Sequence, residues 1–273
     1  MSKDVSFGQY YPISSPIHSL NPCLKLIAYI VIIVFAFVIK NFYGFISLFL
    51  LLLITSIVSK VPIKSVLSSL KTVLFLILFT AVLNIFLASP RGENDVVLLK
   101  LKFITVTKGT LIFAAFLALR LVVIAIASGL LTLTTSPIEL TDGIEMLLSP
   151  LKLLHLPIHT LALIMSIALR FIPTLTEKTQ TIMSAQKARG SQLDSSNFLV
   201  KIKALIPVLI PLLIGAFNIA DQLGDAMDAR CYTGKGRTKY KTLSFKLRDC
   251  IAILLMVLFV VSVFILNHFF KGV

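Results

Sequence analysis

Near-continuous apolar runs lie at 24–39, 42–58, 67–88, 110–134 and 251–269. A helix needs roughly 20 apolar residues to cross a bilayer, within a range of about 17–25. The pattern predicts five spans, the first of which borrows from its flanks. The stretch from 135 to 250 is patterned differently. Ser136-Pro137-Ile138-Glu139 reads as a helix start, with Ser as N-cap, Pro at the first helical position and Glu at the third. A short amphipathic helix follows to about Leu148 and closes at Ser149-Pro150.

Two longer segments come next. One runs from about Ile158 to Ala188, apolar in its first half, with Arg170, Thr174, Glu177, Thr181 and Ser184 in a polar stripe at 4-3-4-3 spacing. Pro173 predicts a kink in it. The other runs from about Phe198 to Arg230, with Pro207 and Pro211 near its middle. Its second half is two-faced: Asn218, Asp221, Gln222, Asp225 and Asp228 oppose Ala220, Leu223, Gly224, Met227 and Arg230. Both segments read as too polar to span simply and too apolar to stand free in water. The expectation is that they lie at the cytoplasmic face of a membrane or bury against partners. The fold class is therefore all-α: a polytopic helical membrane protein. Its parts are a membrane domain over 1–134 with about four spans, a cytoplasmic helical region over 135–249 and a last span over 250–273.

Composition agrees. The chain is 57% hydrophobic and 14% charged, with a mean hydropathy of +0.97, against about 45–50% apolar and 25% charged residues in soluble domains. No alternating strand pattern suggests a β-barrel. The first 22 residues are polar, carry Pro12, Pro16 and Pro22 and lack the apolar core of a cleavable signal, so the first span is expected to direct insertion. The net charge of +14 suggests nucleic acid in a soluble protein. Here it reads as loop residues facing anionic lipid, with no nucleic-acid partner. Placing the N-terminus, the 59–66 loop and the 135–250 region on one side puts 19 of the 26 Lys and Arg there, which makes that side cytoplasmic and the protein a multi-pass component of the cell membrane. Cys23, Cys231 and Cys250 have no paired spacing, so neither a disulfide framework nor a metal site follows.

The chemistry-bearing feature is a doubled motif. Ser184-Ala185-Gln186-Lys187-Ala188-Arg189-Gly190 and Asp225-Ala226-Met227-Asp228-Ala229-Arg230-Cys231 share Ala-x-x-Ala-Arg followed by a small residue. The first Ala and the Arg stand four apart, on one helical stripe. Each copy offers a small surface ending in a guanidinium, which pairs bidentately with carboxylates or donates to helix-end carbonyls. One copy alone reads as arginine satisfying lipid phosphate; two copies ending two long amphipathic helices read as docking points.

Other candidates carry less. Gly234-Lys235-Gly236-Arg237-Thr238 lacks the spacing and the strand–helix context of a phosphate loop, so it reads as a flexible basic loop. Arg120 sits mid-span, where a charge marks a functional site by default; pairing with a helix carbonyl or with Asn84 is the equal alternative. Ala114, Ala115, Ala118, Ala125, Ala127, Ser128 and Gly129 on the same span allow close helix packing. His155 and His159 flank Pro157 without an acidic or thiol partner, and neither they nor His18 suggest a metal ligand. No nucleophile–base constellation is present, so no catalytic activity is expected. A stand-alone secondary transporter is the competing reading. It calls for acidic residues at mid-membrane, whereas all 12 Asp and Glu fall outside the five spans.

Several strings taken together resemble the transmembrane T component of energy-coupling factor transporters, ATP-driven uptake systems for vitamins and other micronutrients. They are Gly8-Gln9-Tyr10, His18-x-Leu20-x-Pro22, Thr135-Ser136-Pro137-x-Glu139-Leu140, Leu148-Ser149-Pro150-Leu151, Ala168-Leu169-Arg170-Phe171-Ile172-Pro173, the two Ala-Arg motifs with Tyr232, and Gly236-Arg237-Thr238. The resemblance implies that Arg189 and Arg230, with Ala185, Ala188, Gly190, Ala226, Ala229 and Cys231, dock into grooves of two cytoplasmic ABC ATPase subunits. It implies that the helices bearing them are coupling helices that also meet a substrate-binding membrane subunit, the S component, with Arg170, Pro173 and Arg120 in structural or coupling roles. ATP and magnesium belong to the ATPase subunits, and no cofactor or metal is expected on this chain. The family usually carries Gly where Cys231 stands; Cys is read as a tolerated small residue.

Overall fold

The computed structural model describes residues 10–39, 41–87, 97–101, 104–154, 157–234 and 245–269. Eight helices carry most of it: α1 Pro22–Val38, α2 Phe42–Val58, α3 Ile63–Leu87, α4 Lys108–Thr134, α5 Pro137–Leu148, α6 Ile158–Ala188, α7 Phe198–Asp228 and α8 Leu247–Phe269. The all-α reading holds, with one addition. Strands β1 Val97–Leu101 and β2 Ile104–Thr107 form an antiparallel hairpin between α3 and α4. The Ile104-Thr105-Val106-Thr107 run is its signal, because β-branched residues favour a pleated strand.

Contacts divide the chain into two compact units, one of residues 8–147 with 243–273 and one centred on 148–242. The first is a helical bundle. Phe45, Leu48, Leu52, Val123, Ala127, Leu130, Leu133, Phe259 and Val263 form its core, from α2, α4 and α8. Phe35 of α1 meets Phe259 and Phe264 edge-on at 6.2 and 5.8 Å. Of the small residues on α4, Ala114, Ala125, Ala127 and Gly129 are buried within the bundle, so close helix packing accounts for them, while Ala115 is exposed.

Buried polar bonds tie the helix ends together. The Asn21 side chain caps α1 by accepting from the Cys23 N–H at 3.0 Å. The backbone N–H of Asn21 donates to Asp249 Oδ1 at 2.9 Å, while Asp249 Oδ2 accepts from the Lys246 N–H at 2.7 Å and so caps α8. Lys25 reaches across from α1 and donates to the Thr134 carbonyl at the end of α4, at 2.9 Å, and to the His18 carbonyl, at 3.1 Å. The start of α1, the end of α4 and the start of α8 thus lie at one end of the bundle, as an even number of crossings between them requires. Gly143 of α5 packs there too: a Cβ on it would stand 2.9 Å from the Pro22 carbonyl carbon. The start of α5 is the capping box read from Ser136 and Glu139, each side chain accepting from the other's N–H at 3.3 Å.

His18 is structural. Its Nε2 faces the Tyr11 carbonyl at 3.1 Å, and its Nδ1 lies 2.7 Å from the Ser15 hydroxyl. A carbonyl only accepts, so Nε2 carries the proton and Nδ1 accepts from Ser15. Burial, then the Lys25 charge, hold the imidazole below its ordinary pKa and keep this neutral tautomer.

Arg120 resolves as a helix cap. Its Nε donates to the Ala36 carbonyl at 2.7 Å and its Nη2 to the Phe37 carbonyl at 3.3 Å, with the guanidinium 4.8 Å from the centre of the Phe37 ring. Asn84 is engaged elsewhere, donating to the Thr80 carbonyl at 2.8 Å. The 17 residues of α1 span only ~25 Å, short of a ~30 Å hydrocarbon layer, so its last carbonyls end where water is scarce. Arg120 supplies the donors. An Arg120→Leu chain is expected to lose about 2 kcal/mol of stability, read as a lower melting midpoint in detergent, with Arg120→Lys intermediate. An unchanged midpoint for Arg120→Leu would mean that solvent replaces these bonds.

The second unit is built on α6 and α7. Along α7, Val200, Ala204, Val208, Leu212, Ala216, Ile219, Leu223 and Met227 form a half-buried to buried row at helical spacing, and α7 packs on α6. Leu205, Ile206, Leu209, Ile210, Leu213, Ile214 and Phe217 are exposed. Among the described residues four helices are long and apolar enough to cross a membrane: α4, α6, α7 and residues Leu247–Asn267 of α8. By length and composition α6 and α7 are thus more apolar than the reading of them as too polar to span simply. Between residues 158 and 176 of α6 the one charged side chain is Arg170, and residues 204–220 of α7 carry none, so each helix has a long apolar stretch. The Thr176 and Thr179 hydroxyls also donate to the Ile172 and Leu175 carbonyls, which masks their polarity.

Candidate functional site

The two Ala-x-x-Ala-Arg motifs are the C-terminal ends of α6 and α7, and they end in the same way. At the first, Gly190 N–H donates to Lys187 O and Ser191 N–H to Gln186 O, both at 3.0 Å. At the second, Cys231 N–H donates to Asp228 O at 2.9 Å and Tyr232 N–H to Met227 O at 3.0 Å. These paired 5→2 and 6→1 bonds are a Schellman turn, which satisfies carbonyls that a helix end leaves open. The turn needs a left-handed residue immediately after the arginine. Gly190 has φ +82° and Cys231 φ +54°. The motif is thus alanine to hold the helix to its last turn, arginine at the cap and a left-handed residue to end it.

The side chains repeat as well. Ala185, Ala188, Arg189 and Gly190 are exposed, as are Ala226, Ala229, Arg230 and Cys231. Gln186 and Met227, at the matching position, are both half-buried. The two termini therefore present the same face in the same rotational register. Arg230 is exposed like Arg189; of the small apolar face that it ends, Ala220 and Gly224 are exposed while Leu223 and Met227 are half-buried. A cation at a helix C-terminus is favoured by the aligned peptide dipoles. Each terminus is an open, alanine-floored knob with a guanidinium at its tip.

Cys231 changes meaning in this geometry. The position asks for a left-handed backbone rather than a small side chain, and any residue with a Cβ is strained there.

Among the other sequence candidates, Arg170, Thr174, Glu177, Thr181 and Ser184 are all exposed on α6, which confirms the polar stripe. Pro173 lies inside a helix that continues through it. The turn after α6 is pinned by Leu193, 4% exposed, and Asn197 caps α7 by accepting from the Leu199 N–H at 3.2 Å. His155 and Lys235 to Thr238 fall outside the described residues. No cluster of metal-ligating side chains occurs among the described residues.

The chain can now be set beside known proteins. The family model described as cobalt transport protein, CbiQ, matches residues 13–240. Over 273 residues, the full length of both chains, the sequence is 48% identical to the energy-coupling factor transporter transmembrane protein EcfT of Clostridium kluyveri. The chain belongs to the T-component family of energy-coupling factor transporters. It is also 41% identical to EcfT of Ruminiclostridium cellulolyticum over 271 residues, 99% of this chain and all of the relative. With EcfT of Acidaminococcus fermentans it shares 42% identity over 267 residues, covering 97% of this chain and 98% of the other. As a T component it is a multi-pass membrane subunit of a transporter. The motif strings read from the sequence thus belong to a resemblance that runs the length of the chain.

Proposed function

We propose that this T component is the scaffold through which two cytoplasmic ABC ATPase subunits drive uptake by a substrate-binding S component in the cell membrane. The observation that carries the proposal is the identity of the two helix termini, in backbone bonding and in exposure. Two knobs alike in backbone call for two sockets of like shape, and a dimeric ATPase supplies two. Arg189 and Arg230 enter the grooves, with Ala185, Ala188, Ala226 and Ala229 as the close-packed floor and Gly190 and Cys231 ending the helices so that the arginines lie at the tip. The ATPase subunits bind ATP and magnesium and hydrolyse it; this chain transmits the movement. The exposed apolar face of α7 meets the S component or lipid. Arg170 and Pro173 lie where apolar α6 becomes polar, a place suited to passing force from a cytoplasmic knob to a membrane contact. The N-terminus is cytoplasmic, on the side of the basic loops. The S component selects the micronutrient.

The test is co-purification of the complete complex. An Arg189→Glu plus Arg230→Glu chain is expected to reach the membrane in normal amount and to lose both ATPase subunits, because each reversed charge opposes the group that its arginine meets. ATPase recovery at wild-type yield would contradict docking through these termini.

A further inference from the structure

The two termini match in backbone and exposure but differ in charge. Lys187 and Asp228 hold the same place in the motif, two residues before the arginine, and Ser184 matches Asp225; all four are exposed. The last turn of α6 carries Lys187 and Arg189 and no carboxylate. The last turn of α7 carries Asp225, Asp228 and a single Arg230. A helix C-terminus disfavours carboxylates because its own carbonyls are the negative end of the dipole. Neither aspartate has an ion-pair partner among the described residues. Lys187 pairs with Asp194 at 2.8 Å, but both side chains are open to solvent, and such a pair exchanges readily for an outside partner. The chain thus keeps two negative charges where its own helix is the worse for them.

On the docking role proposed above, we infer that Lys187 and Asp228 sort the ATPase subunits. The end of α6 takes a subunit whose groove rim is acidic, and the end of α7 takes a different subunit whose rim is basic. The arginine is common to both ends and cannot discriminate. The residue two places before it lies on the same exposed surface and carries opposite signs. Like charges brought together at the wrong pairing provide the rejection on which specificity depends.

The experiment uses the full complex with both ATPase subunits. A photo-crosslinking residue replaces Gln192 or Thr233, exposed positions that correspond just beyond the two termini. The wild-type chain is expected to capture one ATPase polypeptide at 192 and the other at 233. In the Lys187→Asp plus Asp228→Lys chain, with both arginines intact, the two are expected to exchange places, or their preference to fall at least about tenfold. The isolated Asp228→Lys chain is expected to melt no lower than wild type, since an anion leaves the helix end, so altered capture does not come from misfolding. An unchanged assignment after the swap overturns the inference, as does capture of one and the same polypeptide at both wild-type positions. Capture of neither ATPase at either position overturns docking itself.

Discussion

Asp249→Ala is expected to destabilise the bundle more than any other single change described here. The carboxylate is 2% exposed and accepts from two backbone donors, the Asn21 and Lys246 N–H groups. One bond caps α8. The other fastens α8 to the residue that caps α1. Removing the side chain orphans both donors in a buried site. Hydrogen bonds to a charged acceptor are worth about 1.5–3 kcal/mol each, so the loss is about 3–6 kcal/mol. For a chain of this size that lowers the melting midpoint by roughly 10 °C. Asp249→Asn keeps one accepting oxygen and turns a donor toward the other N–H, so it should fall between wild type and Asp249→Ala. Thermal denaturation of the detergent-solubilised chain reads the order directly. A midpoint for Asp249→Ala within a degree or two of wild type would show that these caps are replaceable by solvent.

The second large effect concerns the residues that follow the arginines. Gly190 has φ +82°, and a Cβ there would meet nothing within 4 Å. Any cost of substitution is therefore conformational. A β-branched residue is strained in the left-handed region by about 2 kcal/mol or more. Gly190→Val is expected to unwind the end of α6, to displace Arg189 and to weaken ATPase docking there by roughly thirtyfold, the equivalent of that strain. Gly190→Asn, which tolerates the conformation, should retain most of it. At the other terminus the sign reverses. Cys231 already bears the strain at φ +54°, so Cys231→Gly is expected to stiffen the end of α7 and strengthen docking by about 1 kcal/mol, or fivefold. Binding titrations of the ATPase subunits against each variant measure both. Equal affinities for Gly190→Val and wild type would mean that the turn does not position Arg189.

Much of this was legible in the sequence. The capping box at Ser136 and Glu139, the exposed stripe from Arg170 to Ser184 and the pairing of the two Ala-Arg motifs all follow from local rules of helix ends and helical spacing. What escaped involved partners distant in the chain or the backbone's handedness. Arg120 is a cap for α1 across 84 residues of sequence, and Asp249 serves Asn21 across 228; no local pattern names such partners. The hairpin between α3 and α4 falls between the apolar runs 67–88 and 110–134, and its strands of five and four residues are too short to stand out beside them. At Cys231 the sequence displays only a small side chain, whereas the deciding property is a positive φ that a single residue letter does not show. The apolar stretches of α6 and α7 are long enough by length and composition to cross a membrane, which the polar stripe of α6 and the two-faced end of α7 mask in the sequence.

The central claim is that two like helix termini hold two ATPase subunits, one each. Native mass measurement of the assembled complex tests it most directly. The wild-type chain should carry two ATPase subunits, Arg189→Glu alone one, Arg230→Glu alone one, and the double reversal none. Two ATPase subunits on all four chains would contradict the account.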